Sequence, residues 1–127
     1  MENTKVLVAD HSKTCNRLME YYLQHVGIEE KNITMVTDWA EALEIAQQEL
    51  FDIIILSPYK LWMDPVKIAT EIKSQYTEKT PKIIEFTSGA LGHKPNEVFD
   101  NVVFKPTTEE IFAEKLLETL CMSRAGE

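Results

Sequence analysis

The sequence predicts an α/β domain: a five-stranded parallel sheet with helices on both faces. Two observations predict it. Short continuous apolar runs such as Val6-Leu7-Val8-Ala9 and Ile53-Ile54-Ile55-Leu56 suit strands buried on both faces. Each such run is followed by residues that could cover it as an amphipathic helix, and that alternation specifies parallel strands with right-handed crossovers.

The elements follow in order. Lys5 to Ala9 is the first strand, and Asp10-His11-Ser12 supplies capping chemistry for the helix after it. Cys15, Leu18, Met19, Tyr22 and Val26 form that helix's apolar stripe, and Gly27 ends it. Ile33 to Val36 is the second strand. Thr37-Asp38 caps a helix with apolar Trp39, Ala42, Leu43, Ala46 and Leu50. Asp52 to Leu56 is the third strand. Asp64-Pro65 reads as N-cap and first helical position, with Val66, Ala69, Ile72 and Tyr76 behind it. Pro81 to Thr87 is the fourth strand. Pro95 to Asp100 is expected to hold a short helix. Val102 to Phe104 is the fifth strand. Thr107 or Thr108 caps a last helix carrying Ile111, Phe112, Leu116, Leu117 and Leu120.

No linker or repeat interrupts this order. Residues 1–122 read as one domain and 123–127 as a flexible tail, and 127 residues suit one sizeable core. The composition, 44% apolar and 27% charged, is that of a globular protein. No apolar run approaches the roughly 20 residues of a membrane span, and the N-terminus lacks a signal-peptide layout, so a cytoplasmic location is expected. A net charge of −8 argues against direct nucleic-acid binding, which needs Lys and Arg to displace counterions. Cys15 and Cys121 are expected as reduced thiols in or near the core, and no Cys or His spacing suggests a metal site.

In an open parallel sheet the functional crevice lies beyond the carboxyl ends of the strands. The residues there are Ala9-Asp10-His11, Thr37, Ser57-Pro58, Thr87-Ser88 and Phe104-Lys105. These positions carry a resemblance. Lys5 to Ser12, Glu41-Ala42-Leu43, Met63-Asp64, Phe86-Thr87-Ser88 and Val103-Phe104-Lys105-Pro106 resemble, in order and spacing, the receiver domains of two-component response regulators. The resemblance implies a flavodoxin-like (βα)5 fold with strand order 2-1-3-4-5. It also implies a role in signal transduction, and a cis peptide at Pro106. The stretch between Thr87 and Lys105 is shorter than is usual in the family, so the fourth helix is expected to be short or irregular.

The same resemblance shows what is missing. Receivers bind Mg²⁺ through an acidic pair, an acceptor aspartate and a backbone carbonyl. Here the pair is Asp10 and His11, the acceptor position holds Ser57, and the carbonyl falls to Tyr59. Magnesium usually takes one or two carboxylates, so weak or absent binding is expected and no cofactor is assigned. Asp10 and Lys105 cancel in charge, so Lys105 is expected to lean onto Asp10. Pro58 removes a backbone N–H that would hold phosphoryl oxygens. Thr87 keeps the switch-hydroxyl position, but Val102 stands where the aromatic switch would be.

The expected role is therefore a phosphorylation-independent protein-interaction module, a pseudo-receiver and not an enzyme. Its partners would be another protein, a second copy or other domains of a longer chain. Phe99, Val102, Phe104 and Phe112 are the candidate partner-face residues. One alternative is an active receiver phosphorylated by an unorthodox route. A flavodoxin-like FMN binder is a remote one, because Asp10-His11-Ser12-Lys13-Thr14 lacks glycine and begins with an anion. An Asp10-His11-Ser57 hydrolase triad is disfavoured, since adjacent Asp10 and His11 are expected to diverge and no Gly-x-Ser-x-Gly turn exists.

Overall fold

The computed structural model describes residues 3–57, 64–76, 79–88, 94 and 96–122. Expectations that fell on Pro58, Tyr59, Met63, Pro95 and the 123–127 tail lie outside the described residues. The strands are β1 (Val6–Ala9), β2 (Ile33–Val36), β3 (Ile53–Leu56), β4 (Lys82–Thr87) and β5 (Asn101–Phe104). The helices are α1 (Lys13–His25), α2 (Trp39–Gln48), α3 (Pro65–Ser74) and α4 (Glu109–Leu120). All pairings are parallel, and the sheet order is β2-β1-β3-β4-β5.

Strand alternation divides the core in two. Val6, Val8, Ile53, Ile55, Ile84 and Phe86 pack with α1 and α4 residues such as Met19, Leu23, Phe112 and Leu116. Leu7, Ala9, Ile54, Leu56 and Ile83 pack on the other face with Ala42, Ala46, Ile68 and Ile72 of α2 and α3. Successive side chains of a strand point to opposite faces, so an uninterrupted apolar run serves both layers.

The helix starts obey local chemistry. Ser12, Asp38, Asp64 and Thr108 are the N-caps, each accepting a backbone N–H from the first turn. Pro65 holds the first helical position, where its missing N–H leaves no bond unmade. Gly27 adopts φ +100° just past α1, a conformation that a Cβ disfavours.

The helix phases depart from the sequence expectation. In α1 the inward residues are Asn16, Met19, Tyr22 and Leu23, and Leu18 is 45% exposed. Asn16 is accommodated because its Nδ2 donates to Asp10 O at 3.1 Å and Val36 O at 3.2 Å. In α4, Ile111 and Leu117 are exposed while Thr119 is fully buried. Thr119 takes that place because its hydroxyl donates to Lys115 O and accepts from Asn101 Nδ2. In α3, Ile68 joins the core and Val66 is only half-buried. Leu50 lies beyond the end of α2 and is exposed. Cys15 is half-buried, but Cys121 is exposed at the C-cap of α4 and does not belong to the core.

Among the described residues no helix stands between β4 and β5. Residues 97–100 form turns and bends instead. Asn96 closes a tight turn, its side chain accepting from Val98 N and its carbonyl from Phe99 N. Asp100 is already committed to the sheet: its N–H donates to Ile83 O, and its carboxylate accepts from Ile83 N and Lys73 Nζ. Also among the described residues, no helix is long and apolar enough to cross a membrane.

Candidate functional site

The parallel sheet delivers four strand ends to one place. Asp10 follows β1, Ser57 follows β3, Thr87 ends β4 and Lys105 follows β5. Backbone bonds extend the ladder past each strand and fix these positions. Asp10 N donates to Val36 O at 3.1 Å, Ser57 N to Ala9 O at 2.9 Å, and Lys105 N to Thr87 O at 2.7 Å. Asp10 and Ser57 are 3% and 2% exposed. The Lys105–Pro106 peptide bond is cis.

Lys105 is the centre of the cluster. Its ammonium donates to Asp10 Oδ2 at 3.0 Å and to Ser57 Oγ at 2.5 Å. Cys15 Sγ lies 4.0 Å away, and the Phe86 ring centroid 4.9 Å away. The ring face attracts the cation while excluding water from one side. The second oxygen of Asp10 accepts Ser12 N at 2.9 Å and lies 3.6 Å from His11 Nδ1. Both oxygens of this buried carboxylate are therefore engaged, which is what its desolvation requires.

The expected divergence of Asp10 and His11 is not seen. The His11 ring, about half exposed, turns back toward Asp10 instead. Among the described residues, the side chain that bonds the Ser57 hydroxyl is an ammonium, which has no lone pair to take its proton. Thr87 Oγ1 donates to Ser88 O at 3.1 Å, a local bond at the strand end.

Among the described residues, this cluster offers little to the magnesium ion that the receiver resemblance implies. Asp10 is the one carboxylate among Asp10, His11, Ser57, Thr87 and Lys105, and it already holds a cation. A magnesium ion there would meet the Lys105 charge and a neutral hydroxyl. Among the described residues, no three His, Cys, Asp or Glu side chains gather as a metal site.

The four aromatic and aliphatic partner-face candidates separate. Phe112 is fully buried, stacked on Tyr22 with ring centroids 5.7 Å apart, and is a core residue, not a surface one. Phe99 is half-buried against the α2–α3 layer. Val102 and Phe104 line a depression of about 290 Å³ between β5 and α4, with Pro106, Thr107, Ile111 and Lys115. Cys15 and Phe86, the other neighbours of Lys105, were not singled out from the sequence. The available signal was position: Cys15 lies in the first turn after Asp10, and Phe86 directly precedes Thr87.

No protein-family model and no curated protein matches the sequence. Solved structures do match. A response regulator receiver domain from Clostridium thermocellum is 20% identical, over 92% of this chain and 94% of that one, with a TM-score of 0.75. The fold is the CheY-like receiver fold. The chemotaxis protein CheY4 of Vibrio cholerae is 24% identical over 91% of this chain and 98% of its own, with a TM-score of 0.73. The receiver domain of sensor histidine kinase PA1611 from Pseudomonas aeruginosa is 19% identical over 94% and 98%, with a TM-score of 0.79. That structure has a magnesium ion coordinated in its active-site cleft. The strand order β2-β1-β3-β4-β5 is the one the receiver resemblance implied.

Proposed function

We propose that the chain is a receiver-fold signalling module that acts through protein contacts and takes up no phosphoryl group at position 57. The observation that carries this reading is the Lys105 ammonium held between Asp10 and Ser57. A phosphoryl acceptor needs an oxygen nucleophile that is ionised or can be deprotonated, and cations to neutralise the transferring group. Among the described residues, the side chain bonded to the Ser57 hydroxyl is Lys105, which is neither a base nor a metal ligand in its ammonium form. The lysine charge that could assist is neutralised by Asp10.

What remains useful is surface. The depression between β5 and α4 has an apolar floor of Val102, Phe104 and Ile111, and β5 is an edge strand. In receivers this side of the fold meets partners, and the same face is the first to test here.

The decisive experiment is incubation with acetyl phosphate and Mg²⁺ followed by intact-mass measurement. The expected mass is unchanged. A stoichiometric gain of one phosphoryl group would overturn the reading and favour an active receiver using an unorthodox route.

A further inference from the structure

Helices α2 and α3 share one face of the sheet, and each runs back from the end of one parallel strand to the start of the next. Both therefore end at the edge of the domain opposite the Lys105 cluster. Between their ends lies a cavity of about 210 Å³, whose lining includes Gln47, Gln48, Glu49, Leu50, Gln75 and Tyr76. The two ends are tied together, since Tyr76 OH donates to Glu49 O at 3.2 Å.

The cavity is rich in acceptors. Helix α2 closes with Glu49 N on Ile45 O, which leaves the carbonyls of Ala46, Gln47 and Gln48 past the last intrahelical bond. Its last turn has no basic side chain to offset the partial negative charge gathered there. Gln75 adds a side-chain oxygen. Among the described residues that oxygen is buried and has no hydrogen-bond partner. A buried acceptor without a donor is costly, so a donor brought to it is favoured. Gln75 as a whole is half-buried, which leaves its amide room to turn toward the cavity.

The charged side chains at the rim are balanced locally. The Glu49 carboxylate lies 3.4 Å from Lys5 Nζ, and Lys79 Nζ lies 3.8 Å from the Asp52 carboxylate. The helix-end carbonyls and the Gln75 oxygen then set the chemistry, which calls for a cation that donates hydrogen bonds. A guanidinium meets it best. It carries only N–H donors, held in one plane, and is more weakly hydrated than an ammonium. The volume suits a head group of that size and falls short of the roughly 300 Å³ at which ordinary ligand pockets begin.

We propose that this cavity is a binding site for a guanidinium group, carried by a small guanidino compound or by an arginine of a partner protein. The site is separate from the Lys105 cluster and goes beyond the reading of position 57. Phosphoryl uptake would leave it standing.

The test is an NMR titration of the whole chain with methylguanidinium chloride, from about 0.1 to about 30 mM at constant ionic strength, a range that brackets weak binding. Tetramethylammonium, a cation without N–H donors, is the control. Saturable shifts are expected at the backbone amides of Gln47 to Leu50, Gln75 and Tyr76 and at the Gln75 side-chain amide. The control should give none. Gln75→Met keeps the length of the side chain but removes the acceptor, and should weaken binding by about fivefold or more. Gln75→Glu makes the acceptor a carboxylate and should tighten it. If the Met variant fails to fold by circular dichroism, the Glu variant still decides. A short blocked peptide with a central arginine separates the sources. Binding at least as tight as that of methylguanidinium assigns the site to a partner's arginine, and exclusion of the peptide assigns it to a small molecule. Shifts scattered over the acidic surface, equal shifts with the control, or binding indifferent to both Gln75 variants would overturn the proposal.

Discussion

The Lys105 ammonium lies 3.0 Å from a carboxylate oxygen of Asp10, and the two residues are 95 positions apart in the chain. Asp10 keeps only 3% of its surface in water. A carboxylate buried to that degree needs partners for both oxygens. Ser12 N and Lys105 provide them. The bridge to Ser57 then joins the carboxyl ends of β1, β3 and β5 through one cation.

Lys105→Met should therefore destabilise the fold by about 2–4 kcal/mol, since it leaves a buried charge without its counterion. Asp10→Asn should lose less, because Lys105 is partly exposed and can reach water. The double variant should fall well short of the sum of the two. Urea unfolding of the three variants measures this; strict additivity would show that the pair is not coupled.

Magnesium should leave the amide resonances of Asp10 and Ser57 unmoved in an NMR titration at millimolar concentration. Replacing His11→Asp and Ser57→Asp together supplies two further carboxylates and should create localised, saturable shifts. Either replacement alone should give a weaker response. Saturable shifts in the wild type would contradict the charge argument for this pocket.

Phe112→Ala should cost about 3–5 kcal/mol, as truncation of a fully buried aromatic does. Val102→Ser should cost under about 1.5 kcal/mol, because Val102 is half-buried and borders the depression beside α4. If the β5–α4 side binds a partner, Val102→Ser should weaken that binding with little change in the unfolding midpoint. The opposite ranking in denaturant would mean that the core has been misplaced.

Burial raises the Tyr76 phenol above its ordinary value of 10.0, partly offset by a backbone hydrogen bond from Phe51. The folded state thus holds this proton more tightly than the unfolded chain. Its contribution to stability is fully present below pH 10 and is lost as pH rises through the folded value. Unfolding midpoints should fall as pH rises above about 10, and Tyr76→Phe should reduce that fall. An identical pH dependence in the variant would assign the effect elsewhere.

Much of the fold was legible because its signals are local. Apolar runs marked the strands to within one residue at each end, and Ser12, Asp38, Asp64 and Thr108 cap helices by contacts within their own first turn. Helix phase was less legible. Hydrophobicity favoured Leu18 and Leu117 as inward residues, whereas Asn16 and Thr119 hold buried places. Both polar residues are held there by distant groups: Val36 O accepts from the Asn16 side-chain amide, and Asn101 Nδ2 donates to the Thr119 hydroxyl. The segment between β4 and β5 was expected to be short or irregular, and residues 97–100 are turns and bends. Asp100 is held by Ile83 and Lys73, contacts that no local pattern reveals.

The sequence by itself determined the five apolar strands, the caps, the parallel architecture and the identities at the strand ends, Ser57 among them. These depend on composition, period and order along the chain. Only the tertiary structure decided that His11 turns toward Asp10, that Phe112 belongs to the core, and that one ammonium engages Asp10, Ser57, Cys15 and Phe86 together. Those relationships join residues far apart in the chain, and their geometry exists only once the strands have paired and water has left the space between them.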